Sequence, residues 1–186
     1  MNVKGTAYLT RKDTVIKTFG EERWNSFMAK LAEKDKYFNQ TIMSVTLIPL
    51  DKFFLFLDDL LKEFFNNDKM SYWKLGEKSA DYSLSPGGPY QSYLLTRDLK
   101  NFVDTAIPKL WSTYFDGGIF NARIEDNVAH VTISGLPIQH IYFEYLIMGY
   151  IRQALVLFGI KSVEHRVRGF SIGNKDIYYK FELKNA

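Results

Sequence analysis

The chain has no cysteine. That excludes disulfides, thiolate nucleophiles and every zinc or iron–sulfur site built on cysteine. Histidine is almost as scarce. The three copies, His130, His140 and His165, are too widely spaced for a local metal-binding motif. No Walker loop, G-x-S-x-G or G-x-G-x-x-G is present, and no carboxylate pair stands out, so no motif indicates an enzyme. Long basic runs, zinc-finger spacing and RNP-like motifs are also missing. With a net charge of only +3, nucleic acid is not an expected partner. The segment MNVKGTAYLTRKD lacks the apolar core of a signal peptide, so a cytoplasmic location is the expectation.

What remains is rich in aromatics, with 15 Phe and 12 Tyr among 186 residues. These bulky side chains suit a thick core or an aromatic-lined cavity. The length fits a single domain over 1–186. From Arg152 onward seven Lys/Arg face three Asp/Glu, which reads as a solvated face.

The first two-thirds of the chain reads as helical. VKGTAYLT looks extended. In TFGEERWNSFMAKL, Thr18 can cap a helix with Glu21 as its capping-box partner. IPLDKFFLFLDDLLKEFFNND gives a second helix, with Asp51 as N-cap and Asn66-Asn67 at its end. Asp58, Asp59, Lys62 and Glu63 would face water. MSYWKLGEKSADYSL is a third helix, stopped by Ser85-Pro86-Gly87-Gly88-Pro89. TRDLKNFVDTAIPKLWSTYFDGG is a fourth, kinked or restarted at Pro108 and closed by Gly117-Gly118.

The period then changes from 3.6 to 2. Phe120, Ala122 and Ile124 alternate with polar residues, as do Ala129, Val131 and Ile133. A two-residue turn at Asp126-Asn127 pairs Ile124 with Ala129, Ala122 with Val131 and Phe120 with Ile133. It leaves Arg123 opposite His130 on the outer face. A second hairpin follows from Ser162 onward. There Val163, His165 and Val167 share a face, as do Ile177, Tyr179, Phe181 and Leu183. A three-residue loop, Gly173-Asn174-Lys175, would put both sets on the apolar side, His165 included.

Between the hairpins, Ile141–Phe158 forms an 18-residue apolar stretch containing Glu144 and Arg152. A charge at the centre of a span costs about 2.5–3.5 kcal/mol, and a span needs about 20 apolar residues. The stretch therefore reads as a buried helix and not as a membrane insertion. Gly159 stops it. Gly149, mid-helix, costs about 1 kcal/mol relative to Ala unless close packing or a ligand offsets it. The pattern is α+β: an antiparallel sheet of about four strands with helices packed on one side.

The ordered set VKG…FGEERW, IPLDKFF, IPKLWSTYFDGG, SGLPIQHIYFEYLIMGYIRQALVLFG and the closing YYKFEL resembles an uncharacterised bacterial family first noted as myxobacterial paralogues. That family is similar to a wider group containing 4-vinyl reductase domains, haem nitric-oxide-binding domains and TRAPP subunits. The resemblance implies an apolar cavity between helix and sheet that holds small or lipophilic molecules. Two features depart from the group. Tyr179 stands about where relatives carry a cysteine. The haem signature Y-x-S-x-R is missing, since the nearest text, YQSYLL, lacks the arginine. Haem held through His140 is accordingly the weaker cofactor reading.

The sequence thus supports a non-catalytic, small-molecule-binding sensory or regulatory domain, with a part in signalling. Its ligand would lie between the helix 141–158 and the last hairpin, lined by His140, Tyr145, Gly149, His165 and Tyr179, with Trp111 closing one side. The alternative is a homodimeric interaction or scaffold domain. It would use Phe53, Phe56 and Phe64, because the second helix holds more phenylalanine than one face can hide.

Overall fold

The computed structural model describes residues 1–184, and the chain forms two compact units. The first comprises Met1–Asp68 and Thr113–Gly117, and the second Lys69–Ser112 together with the chain from Gly118 onward.

In the first unit, β1 (Asn2–Lys4) pairs antiparallel with β2 (Leu47–Pro49). Helix α1 (Gly5–Phe19) starts directly after β1, so VKGTAYLT is mostly helical and not extended. Gly5 makes this abrupt change possible. A Cβ there would sit 1.9 Å from the Met43 carbonyl oxygen, and the Gly5 N–H donates to the Thr46 carbonyl at 2.7 Å. Gly20, at φ 92°, breaks the chain into α2 (Glu21–Lys34). Thr18 is therefore inside the last turn of α1. Its hydroxyl donates to the Thr14 carbonyl at 2.8 Å instead of capping α2.

Helix α3 (Leu50–Phe64) begins after Pro49, with Asp51 in its first turn and no side-chain cap. Asn66 and Asn67, both at positive φ, end it. Phe53 and Phe56 are 0% exposed and Phe64 8% exposed, so the surface expected for a dimer is core. Phe56 meets Tyr8 at 4.7 Å, Phe27 at 6.0 Å and Trp24 at 6.2 Å between ring centroids. Each such side chain contributes about 1.5–3 kcal/mol on burial. The aromatic excess of α3 is absorbed because α1 and α2 supply further faces. Asp59, expected in water, is 9% exposed and pairs with Lys34 at 2.7 Å.

In the second unit, α4 (Met70–Leu84) and the short α5 (Gln91–Thr96) and α6 (Leu99–Asn101) precede a π-helical turn, Phe102–Ala106. Helix α7 (Ile107–Tyr114) follows it and runs across the boundary at Ser112, after which the chain belongs to the first unit as far as Gly117. Pro108 has no N–H to give to the preceding turn, and the widened turn before α7 accommodates it. Next come β3 (Ile119–Glu125), β4 (Val128–Ser134), α8 (Ile141–Leu157), β5 (Lys161–Arg168) and β6 (Ile177–Lys184).

The sheet order is β3-β4-β6-β5, antiparallel throughout. The chain leaves β4, runs through α8 and returns as β5, two places away. The first hairpin has the register read from the sequence: Ile124 opposite Ala129, Ala122 opposite Val131, Phe120 opposite Ile133. Asp126 and Asn127 sit at φ 45° and 60°, the conformation that a two-residue hairpin turn demands. Phe120, Ala122, Ala129, Val131, Ile133, Ile177, Tyr179, Phe181 and Leu183 are buried on the inner face.

The last hairpin differs from expectation. Its connection is the eight-residue segment 169–176, with a 3-10 turn at Phe170–Ile172 and a bulge between Arg166 and Arg168. His165 faces Lys180, an outward residue of β6, and its side chain is 49% exposed.

Candidate functional site

Helix α8 crosses α4 in backbone contact. A Cβ on Gly149 would lie 2.3 Å from the Trp73 carbonyl oxygen, and one on Gly76 would lie 2.1 Å from the Leu146 carbonyl oxygen. These two glycines let the helices touch, and the Gly149 cost is offset by packing. The crossing is fixed by Ser83–Tyr150 at 3.0 Å, Arg152–Glu77 at 2.8 Å and Gln153–Asp81 at 2.6 Å. Burial pushes the Tyr150 phenol up to about 12.

Toward the sheet, α8 presents Glu144, which is 0% exposed. Its carboxylate accepts from the Tyr179 hydroxyl at 2.7 Å, the Ser171 hydroxyl at 2.7 Å and the Ser171 N–H at 2.8 Å. The Arg166 guanidinium donates at 3.3 Å. Arg166 also bonds the Ser171 hydroxyl. Gly169 gives the cluster room, because a Cβ there would lie 2.5 Å from a Glu144 oxygen. A buried charge is tolerated only when paired and hydrogen-bonded, and four donors meet that condition. Burial, reinforced by the Glu144 carboxylate, holds the Tyr179 phenol well above its ordinary range.

A second charge pair lies along the same faces. Arg152, two helical turns beyond Glu144, reaches Glu164 at 3.6 Å. Helix α8 therefore carries an acid then a base, and β5 carries Glu164 then Arg166 to meet them. Ser162, Glu164 and Arg166 consequently face α8, which turns Val163 and His165 outward. This is why His165 does not lie on the apolar face.

The expected site residues are placed as follows. Tyr179 donates to Glu144, which Arg166 also reaches, and Tyr145, the next residue on α8, meets the Trp73 ring at 6.4 Å. Trp111 stacks on Phe120 at 5.5 Å and leans on Phe143 of α8 at 5.7 Å. His140 caps α8, its Nδ1 accepting from the Tyr142 N–H at 3.1 Å, and its ring meets the edge of Tyr72 at 6.0 Å. Gly149 faces the α4 backbone and His165 the outer surface, so neither joins the cluster. Sequence reasoning missed Glu144, Arg166, Ser171 and Gly169. The signal was the reversed order of charges, Glu144 and Arg152 against Glu164 and Arg166.

No family model matches the chain, and no curated protein matches it. Solved structures do. An H-NOX protein from S. oneidensis in the Fe(II)NO ligation state superposes with a TM-score of 0.72 at 16% identity, covering 98% of this chain and 99% of that one. The Fe(II)CO form of the S. oneidensis H-NOX domain gives 0.71 at 16% identity, covering 98% and 99%. An unliganded Fe(II) H-NOX mutant from K. algicida gives 0.67 at 13% identity, covering 98% and 97%. The chain has the H-NOX fold, in agreement with the haem nitric-oxide-binding part of the sequence resemblance. Among the described residues no helix is long and apolar enough to cross a membrane.

The fold raises the question of a haem, whose iron takes an axial side chain, most simply histidine. His130 Nδ1 is within 2.8 Å of the Tyr178 hydroxyl on the outer sheet face. His140 Nδ1 serves the helix cap, and His165 pairs with Glu182 at 3.2 Å. Cysteine, another axial donor to haem iron, is absent. Because Nδ1 of His140 accepts a backbone N–H, the neutral ring carries its proton on Nε2 and has no second lone pair for iron, while His130 and His165 lie on the outer sheet face, so the histidines do not fit a histidine-held haem.

Proposed function

We propose that the chain is a non-catalytic sensory domain that binds a small lipophilic molecule without iron–histidine ligation. The observation that carries this reading is likeness to H-NOX domains over 98% of the chain, combined with three histidines placed at the α8 cap and on the outer sheet face. The ligand would lie against α8 on the side of the final hairpin. Tyr145, Tyr179 and Arg166 would supply its polar contacts, and Trp111 and Phe143 an apolar wall. A few polar groups set among aromatic side chains are the usual make-up of such a site. Glu144 fixes Tyr179 and Arg166, so a ligand that displaced either would also disturb the segment 169–176. That route would carry a signal from site to surface.

Native mass spectrometry of the purified protein tests the reading. A bound non-protein mass lost in Tyr145→Ala, with folding retained, is the expected result. A ligand-free protein that also fails to take up a lipophilic dye such as anilinonaphthalene sulfonate contradicts it.

A further inference from the structure

The outer face of the sheet is open and cationic. Partners in register place Arg123, Lys161, Arg168, Lys180 and Lys184 on it, with only Glu125 and Glu182 as carboxylates. Arg123, Lys161, Arg168 and Lys184 are exposed, and Lys180 is half-buried. Both glutamates are already occupied, Glu125 by Arg123 at 2.8 Å and Glu182 by His165 at 3.2 Å. Among the described residues no carboxylate pairs with Lys161, Arg168, Lys180 or Lys184. Near the start of β6, among these cations, is Tyr178. Arg168 lies 5.5 Å and Lys180 5.9 Å from its ring centroid, and His130 stacks beside it at 6.1 Å.

We propose that this face docks an acidic, extended segment of a partner protein. Charge complementarity selects the occupant's sign. The spacing selects its form. Lys180 and Lys184 are four residues apart on β6, about 13 Å at strand rise, with Glu182 between them. An extended peptide can set carboxylates opposite the two lysines and a neutral residue opposite Glu182. A polynucleotide carries a charge on every residue and cannot skip that position. The Tyr178 ring is flanked by the protein's own cations and imidazole, which leaves no bare stacking platform of the kind single strands use.

The test is fluorescence anisotropy with a fluorescein-labelled peptide of three Glu-Glu-Thr-Thr repeats, which places glutamates at i, i+4 on each face. Three proteins are compared at 50 and 300 mM salt: the full chain, Lys180→Glu/Arg168→Glu, and Lys74→Glu/Lys78→Glu. The last has the same net charge change on exposed positions of α4. All three are checked for unchanged thermal melting. The expected result is saturable binding to the native chain that weakens with salt. It drops about tenfold or more in the sheet variant and less than about twofold in the α4 variant. Equal weakening in both variants, or no saturable binding, overturns the proposal. So does tighter binding of oligo-dT or of phosphatidylserine vesicles through Lys180 and Arg168.

Discussion

The two hairpins of the sheet obey different rules. In β3–β4 the inward residues are apolar, the turn is two residues long and the alternation of the sequence gives the register directly. In β5–β6 only β6 has an apolar inner face. The inner residues of β5 are Ser162, Glu164 and Arg166, and they meet charges on α8. The lesson is that alternation locates a face only when apolar contact is what the strand makes. Where a helix brings its own charges to the sheet, polar residues turn inward and Val163 turns outward.

Breaking each contact type in turn sharpens the contrast. Glu144→Ala removes the acceptor shared by Tyr179, Ser171 and Arg166. Loss of one partner of a buried ion pair costs about 3–5 kcal/mol. Because Arg166 is partly exposed and can turn to water, a value near the lower end is expected in urea unfolding. In the first hairpin Ile133→Ala acts through packing alone and should cost about 2–5 kcal/mol by the same measurement, with no dependence on salt.

Smaller effects follow. Gly169→Ala pushes a methyl against the clamped carboxylate and should cost about 1–3 kcal/mol, whereas the double variant Gly169→Ala/Glu144→Ala should lose less than the sum. Tyr179→Phe deletes one donor to Glu144, worth about 1–2 kcal/mol. It also changes the alkaline limb. The folded protein holds this phenol neutral above its ordinary value, so wild-type stability is full below about pH 10 and falls as pH rises further. Thermal melting between pH 9 and 11 should show a shallower decline for Tyr179→Phe. Val163→Ala, on the outward side of β5, should change stability by no more than about 0.5 kcal/mol. A large loss there would mean that β5 packs like β4.

The same physics explains which parts of the fold were legible. The α4 and α8 boundaries, the Asp126-Asn127 turn and the Asn66-Asn67 stop follow from local periodicity and turn chemistry. Gly149 was recognisable as a site of close packing, though not against what. Gly5 and Gly20 were opaque because their roles depend on the Met43 carbonyl and on a break between two helices. Neither leaves a periodic trace. Phe53 and Phe56 looked like surplus on an isolated helix and became core once α1 and α2 covered them. Of the residues expected around a ligand, Tyr179 bonds Glu144, and Tyr145 follows Glu144 on the same helix. Glu144, which gathers Tyr179, Ser171 and Arg166, was visible only as one of two charges in an apolar stretch, since its partners lie 22 to 35 residues further along the chain.

The most direct measurement is a haemin titration followed at the Soret band, with wild type and His140→Ala compared. No stoichiometric, histidine-dependent Soret shift is expected in either protein. A one-to-one haem complex in the wild type that His140→Ala abolishes, with folding intact, would contradict it.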